Sequence, residues 1–598
     1  MKKQENKDKQ LNRILGGMIP VMILSAVATT LGTFVDSVVV GSGLGDAALS
    51  AMCLSSPVVY LGAALAGVFS SGTQNMCAGC LGRGEKEEAK RYFNTTIGFL
   101  LIVGIALIVL IQFLADPLAS LLGARGSKAN LKGDLVVYLR ALGFSIPFTC
   151  LTNTLSSLMY LEGKKHISLI AISAGTVVNV IGDLLAVYVL HAGMLGVGLA
   201  TALCYFVAGL ILLLQYIGKR GDKAIVRVDR KFFAAGHFWN ILKTGASMAV
   251  TRGCHMLRSW IINTIIGSMF VQAALTAFSA QNSVASLVSC VCVGIGSSTL
   301  TVSAVYAGEE NETGLKQLMR SMMLYGIGIS LIVVIVAFIF RFPLAGLFTK
   351  SGDVIAMAVP AIVGYLISLP LYSMNMAFMM YFQGTHRLKL ANLLSIFDNL
   401  LFVCLAALIL GNIFGLNGVW AAFPVGEACA LISIYVMGSI HQKKPVKHFD
   451  ELLQLDSDGP AFEQIYNCGN EKQLIEASEK AGKMARRNGA DRRTSGVISL
   501  CIEEYGKNII QWAKTKKKKA QLSLTVRLII DRNREWKIFI KDNTASFDPI
   551  VWMQENRQRE DDREDHLGIR LMAGIVDNME YVQTLGLNTL IITVKNEI

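Results

Sequence analysis

The chain has 598 residues, 53% hydrophobic and 17% charged, with a mean hydropathy of +0.48. A soluble domain is about one-quarter charged, so this composition excludes a wholly soluble protein. The net charge is +13, yet residues 441–598 hold about 26 Lys and Arg against about 24 Asp and Glu, so the excess sits upstream and reflects membrane topology rather than nucleic-acid binding.

The chain opens on MKKQENKDKQ, a polar, basic start read as a cytoplasmic segment over 1–13. The first apolar run is too long for a signal-peptide core and precedes no convincing cleavage site, so it reads as a first span. A span needs about 20 mostly apolar residues. Twelve candidates lie near 14–40, 47–80, 93–115, 135–159, 167–190, 194–217, 240–266, 272–306, 316–340, 354–381, 388–411 and 416–440. The first six form an amino-terminal lobe (14–217) and the last six a second lobe (240–440). A basic loop (218–239) joins them.

Loop charge sets the orientation. GRGEKEEAKR (82–91), EGKKH (162–166) and GKRGDKAIVRVDRK (218–231) all fall on one side. The other side has few basic residues, among them Arg125, Lys128 and Lys132. Both termini are therefore expected in the cytoplasm of a multi-pass cell-membrane protein. Twelve Cys lie mostly in apolar stretches, and the lone C-x-x-C, Cys77 and Cys80, has no second pair to complete a zinc site.

The halves repeat. DAALSAMCLSSPV (46–58) parallels QAALTAFSAQNSV (272–284), GVFSSG (67–72) parallels GIGSST (294–299), and GVGLA (196–200) parallels GVWAA (418–422). The Pro147 and Pro370 regions match in the same way, at an offset of about 222–227 residues. Two six-span bundles around a central cavity, opened alternately, follow from such a repeat.

Charge at bilayer depth is costly and marks function by default. Asp36 interrupts span 1. Asn179 and Asp183 are four apart on span 5 and share a face. Thr201 follows a Gly-rich stretch on span 6. Two carboxylates, an amide and a hydroxyl make an oxygen-lined site for Na⁺ or carry a proton. On span 7, Arg252, His255 and Arg258 recur every three residues. With Gln281 and Asn282 on span 8 they are candidates to line a substrate cavity, and their charge suits an anionic or zwitterionic substrate. The competing reading pairs the arginines with Asp36, Asp398 or Glu427.

FVDSVVVGSGLGDAALSA, GRGEKEEAKR, VVNVIGDLL and GVGLAT, together with the repeat, resemble the multidrug and toxic compound extrusion (MATE) family over about residues 10–440. The resemblance implies an all-α membrane protein of twelve helices in two lobes, exporting drugs or small organic compounds in exchange for H⁺ or Na⁺. It also implies a first-lobe cation site, with Asp36, Asn179, Asp183 and Thr201 at the family's positions. Some relatives carry acidic residues on spans 7 and 10. Their absence here argues against a cation site in the second lobe.

Beyond a linker (441–464) the pattern becomes α+β over 465–598. Helical stretches at 471–487 and 494–513 precede the strand-like runs SLTVRLII (523–530), WKIFIKD (536–542) and NTLIITVK (588–595). CIEEYGKNIIQWA (501–513) sets Glu504 and Asn508 on one helical face, DNTASFDP (542–549) follows a strand, and HLGIRLMAGIVDN begins at 566. Order and spacing resemble the GHKL ATPase fold of anti-sigma-factor serine kinases. The resemblance assigns Glu504 as catalytic base, Asn508 as Mg²⁺ ligand, Asp542 as reader of the adenine amino group and Gly568 to the lid. Thr544 and Ser546 stand where that family has Gly, and His566 and Arg570 flank Gly568, so the ATPase or kinase activity implied is weak or degenerate. KTKKKK (514–519) reads as a solvated helix end or a contact for anionic lipid.

These readings converge on an ion-coupled exporter with a cytoplasmic domain that binds nucleotide or a protein partner. The alternatives are a transporter-like sensor controlling a signalling domain, and a flippase for a lipid-linked anion.

Overall fold

The computed structural model describes residues 2–122, 132–217, 235–269, 272–347, 352–454, 460–515, 522–531, 534–555 and 567–595. Its first part is all helical. Span 1 is Lys2–Gly43, span 3 Lys86–Leu121, span 4 Lys132–Leu161 and span 6 Gly193–Leu213. Span 7 is Ala235–Met269, span 9 Glu312–Ile339, span 10 Gly352–Gly384 and span 12 Leu416–Gln442.

The other four spans are interrupted. Spans 2 and 8, each expected as one run, break at Ser55 and Ser289 into Asp46–Leu54 with Ser56–Arg83 and Gln272–Val288 with Cys290–Gly308. Span 5, Lys165–Leu184, continues as a π-helical turn at Leu185–Val189. Span 11, Leu388–Ile396 and Phe402–Phe414, carries a π-helical turn between them at Phe397–Leu401.

Among the described residues, ten helices are long and apolar enough to cross a membrane. Ser56–Arg83 of span 2 and span 7 fall outside that set, although they have 28 and 35 residues. Both are polar because both face the opposite lobe. Gln74 of span 2 donates to Thr301 Oγ1 of span 8 at 2.6 Å, and Asn75 to the carbonyl of Gln383 on span 10.

The lobes meet backbone to backbone at the end of the bundle that carries the C-terminal domain. A Cβ on Gly72 would overlap the Ile241 carbonyl, and one on Gly82 the Val305 carbonyl. Glycine at these positions lets spans 2, 7 and 8 touch. The lobes are thus in direct contact toward this domain end.

The C-terminal domain is a five-stranded antiparallel sheet in the order β1-β2-β3-β5-β4. The strands are β1 Phe462–Cys468, β2 Leu524–Ile530, β3 Trp536–Asp542, β4 Asn578–Thr584 and β5 Leu587–Val594. β1 starts inside the segment read as linker, and neither β1 nor β4 is among the expected strands. Helices Glu471–Arg487 and Arg492–Thr515 bury Leu474, Ile498 and Ile502 against Val526, Leu528, Ile538 and Ile540 on one sheet face. Strand alternation turns Ile529, Phe539, Val582 and Ile591 the other way, into one core with Leu11, Ile14, Leu81 and Tyr306 of the bundle. Both faces of the sheet are thus covered.

Candidate functional site

In the first lobe, Asp36, Asn179 and Asp183 come together, all buried. Asn179 Nδ2 donates to Asp183 Oδ2 at 3.1 Å, and Asp36 lies within hydrogen-bonding reach of both residues. Asp36 Oδ1 and Asp183 Oδ1 are each buried without a hydrogen-bond partner. Buried acceptors left unpaired are costly. Two such oxygens beside an amide suit a small cation or a proton. The π-helical turn that follows Asp183 interrupts the regular hydrogen-bond ladder, a feature frequent at functional positions.

Asp36 opens onto a cavity of about 510 Å³ whose wall includes Thr33, Ser37, Tyr138, Thr201 and Tyr205. Thr201 is therefore on the same cavity as Asp36. Its hydroxyl donates to Val197 O at 3.2 Å, within its own helix.

A second cavity, of about 430 Å³, is lined by Arg252, His255, Arg258, Asn282, Tyr365 and Tyr372, with Tyr60 and Ser286 shared with the first. Arg258 Nη2 donates to His255 Nδ1 at 3.0 Å. Among the described residues neither arginine forms an ion pair. Gln281 does not reach the wall: it is buried, and both its side-chain polar atoms lack partners.

In the second lobe Asp398 and Glu427 form an acidic centre around Asn375, a residue that the sequence does not connect to them. Asn375 of span 10 donates through Nδ2 to Asp398 Oδ1 and Glu427 Oε2, each at 2.9 Å, and to the Glu427 carbonyl at 3.0 Å. All three residues are buried, and Asp398 lies within the π-helical turn of span 11. The second lobe thus has buried acidic residues on spans 11 and 12 rather than on spans 7 and 10. They bond to Asn375, not to the arginines, although Arg258 is within electrostatic reach of both.

In the C-terminal domain, Glu504 and Asn508 lie one turn apart on Arg492–Thr515. Gly568, at the start of Leu567–Ile575, packs directly on Glu504: a Cβ there would overlap Glu504 Oε2. Asp542 is buried, and its Oδ1 accepts from Thr544 N at 2.7 Å, Thr544 Oγ1 at 2.5 Å and Asn588 Nδ2 at 2.9 Å. Burial pushes the Asp542 carboxyl above the usual range, and the bonds from Thr544 and Asn588 work against that rise. Thr544 thus takes over as a cap on Asp542 where a glycine was expected. All three donors use Oδ1, so Oδ2 remains an acceptor for an exocyclic amino group, a fit to adenine. The Arg570 guanidinium sits over the Trp552 ring at 5.6 Å. His566 and residues 516–519 of the basic run lie outside the described residues. Among the described residues no three His, Cys, Asp or Glu side chains group as a metal site, so Asn508 would hold Mg²⁺ only together with phosphate oxygens and water.

Comparison with known proteins agrees with this division. The MatE family profile matches residues 21–185 and 248–408, and the histidine kinase-like ATPase domain profile matches 469–594. Multidrug export protein MepA of Staphylococcus saprophyticus is 22% identical over 446 residues, covering 72% of this chain and 96% of the relative. The uncharacterized transporter YisQ of Bacillus subtilis is 24% identical over 403 residues, covering 66% and 87%. Among solved structures, an outward-facing multidrug resistance MATE transporter of the MOP superfamily superposes with a TM-score of 0.67 at 23% identity, covering 72% of this chain and 95% of its own. A MOP superfamily transporter from Pyrococcus furiosus, described as having a binding pocket of reverse polarity, gives 0.68 at 22% identity, covering 74% and 97%.

Proposed function

The chain belongs to the MatE family, and from that premise we propose that it exports small organic compounds in exchange for a proton or Na⁺, under the control of its ATPase-like domain. The observation that carries the coupling is the buried set of Asp36, Asn179 and Asp183 with two unpartnered carboxylate oxygens. Cation binding there draws spans 1 and 5 together. Its release into the Asp36 cavity lets them part, and the lobes rock.

Substrate occupies the neighbouring cavity. Arg252 and Arg258 favour an anionic or zwitterionic compound, in keeping with the inverted pocket polarity described for the archaeal neighbour. MepA, by name a multidrug exporter, supports the direction of transport. Loop charge supports a cytoplasmic position for both termini of a cell-membrane protein.

The C-terminal domain takes an adenine nucleotide at Asp542 Oδ2. Asn508 and the phosphates hold Mg²⁺, and Glu504 is the base for any residual turnover. Its docking against the bundle supports regulation in cis, and a protein partner would act by competing for the same domain.

Flux in proteoliposomes under imposed H⁺ or Na⁺ gradients tests the coupling. Asp36→Asn and Asp183→Asn each abolish gradient-driven flux. Flux indifferent to both changes overturns the assignment, and the gradient that drives the wild type identifies the ion.

A further inference from the structure

We infer that the outer face of the C-terminal sheet is a lock that holds the two lobes together at the cytoplasmic end, so that the transporter opens inward only when this face lets go of one lobe. The inference rests on the regulatory reading of the domain and gives it a mechanism.

The sheet grips both lobes at once. On the second lobe, Arg527 of β2, 3% exposed, donates to the carbonyls of Glu309 and Glu310 at 2.7 Å each and to Glu463 Oε1 at 2.6 Å. Lys541 of β3 reaches both carboxylate oxygens of Glu309, at 2.7 and 2.6 Å. Thr313, which begins span 9, donates to Glu463 Oε2 at 2.6 Å. Apart from the Arg527–Glu463 pair, which lies within the sheet, these contacts bear on the turn between spans 8 and 9 and on the first turn of span 9.

The first lobe is held by the β4–β5 hairpin. Leu585 N, in the tight turn, donates to the Leu161 carbonyl at the end of span 4, at 2.7 Å. Leu585 and Gly586 have φ of 57° and 78°, the left-handed pair of a two-residue hairpin turn. That conformation is unfavourable for Leu, and here it aims the amide at the bundle. Gly163 lies against the Gly586 backbone, and Gly84 against Glu580 of β4.

A sheet is a rigid body. One that bonds to the span 4–5 and span 8–9 turns together fixes the distance between them, while rocking of the lobes must change it. The domain therefore selects the arrangement in which Gly72 and Gly82 meet the opposite lobe.

The placement of the grips also ties them to the nucleotide residues. Lys541 and Asp542 are neighbours on β3, so one points at Glu309 and the other at the nucleotide face. Asn588, which bonds to Asp542, sits two residues beyond Gly586. Anything that moves Asp542 and Asn588 moves both grips.

The experiment uses the full chain in inside-out vesicles with Ser297→Cys as reporter, a position on the wall of the central cavity. A membrane-impermeant maleimide is added on the domain side, and labelling is read by mass spectrometry of the peptide around position 297. The expected result is slow labelling with the native domain and a several-fold faster rate for Arg527→Met/Lys541→Met. Glu309→Gln weakens the same contact while leaving every residue of the domain in place, and it too raises the rate. Unchanged rates in both variants overturn the lock. Mg²⁺ and ATP are then added to the wild-type domain as a separate arm. A rate that ignores ATP while responding to the variants refutes nucleotide control and supports the lock.

Discussion

Lys541 places its ammonium 2.7 and 2.6 Å from the two carboxylate oxygens of Glu309, with the two side chains only 12% and 2% exposed. This joins a strand of the C-terminal domain to the end of span 8 through a nearly dry ion pair. Breaking such a pair from one side leaves a buried charge and costs about 3–5 kcal/mol, whereas removing both charges costs far less. Lys541→Met is thus expected to lower the thermal stability of the detergent-solubilised protein more than Lys541→Met/Glu309→Leu. Equal losses would mean that the pair is solvated.

Asn179 and Thr201 differ in what they give the proposed cation site. Asn179 donates to Asp183, and a hydrogen bond to a charged group contributes about 1.5–3 kcal/mol. Asn179→Leu is expected to lower gradient-driven flux by roughly tenfold or more. The Thr201 hydroxyl is turned to its own helix. Thr201→Val should change flux by no more than about twofold, a loss of a few tenths of a kcal/mol. A larger loss would place its oxygen on the ion. Flux in proteoliposomes measures both.

How much of this was legible follows from where each signal lies. Asp36 and Asp183 stand out because a charge in an apolar run has no local reason to be there. Asp398 and Glu427 carry the same signal, but it drew attention only to the span 7 arginines. Their true partner, Asn375, lies on span 10, beyond any helical spacing that would connect the three. The docking face was hidden for a related reason. A sheet with one face in water alternates apolar and polar residues. Ile529, Phe539 and Ile591 break that alternation, which predicts a covered second face but not what covers it. The break at Ser55 is announced by Pro57 in the first turn of the helix that follows, whereas the one at Ser289 has neither Pro nor Gly at the junction.

Arg252 and Arg258 line a cavity together and among the described residues form no ion pair, so their charge is available to a substrate. Arg252→Gln and Arg258→Gln should each reduce transport of an anionic dye by about tenfold, the effect of about 1.4 kcal/mol, and leave a cationic dye within about twofold. Paired dye-efflux assays in one vesicle preparation report the ratio. An unchanged preference would assign the arginines to structure.

Asp542 gives a pH dependence with a definite sign. Its carboxyl is pushed up in the folded domain by burial, so folding favours the protonated form. The stabilisation is complete below about pH 4, the unfolded range, and is lost as pH rises through the raised folded value. At neutral pH the buried ionised carboxylate is therefore a cost that Asp542→Asn removes. The variant should melt higher than wild type at pH 7, converge with it in acid, and lose ATP binding through the missing Oδ2 acceptor. Differential scanning fluorimetry and ATP titration of the full chain check both. A variant that melts lower at pH 7 would mean that Thr544 and Asn588 need the charge.

Gly82 links the inter-lobe seam to the docked sheet. A Cβ there would overlap the Val305 carbonyl and crowd Gly308 and Glu309 N, in a place where neither backbone can yield. Overpacking a tight contact costs about 1–3 kcal/mol, here charged only to the arrangement in which spans 2 and 8 touch. Gly82→Val should shift the population toward lobes parted at this end by roughly five- to a hundredfold. Two residues along the same turn Gly84 faces Glu580, and one residue beyond Gly308 is Glu309, the partner of Lys541, so parted lobes cannot hold both grips of the sheet. Hydrogen exchange of the full chain should then show faster exchange at Leu585 N, whose bond crosses to Leu161, while β2–β3 amides inside the sheet stay protected. Slow exchange at Leu585 in the variant would show that the domain follows the first lobe as it moves and leaves the second, placing the release at Arg527 and Lys541.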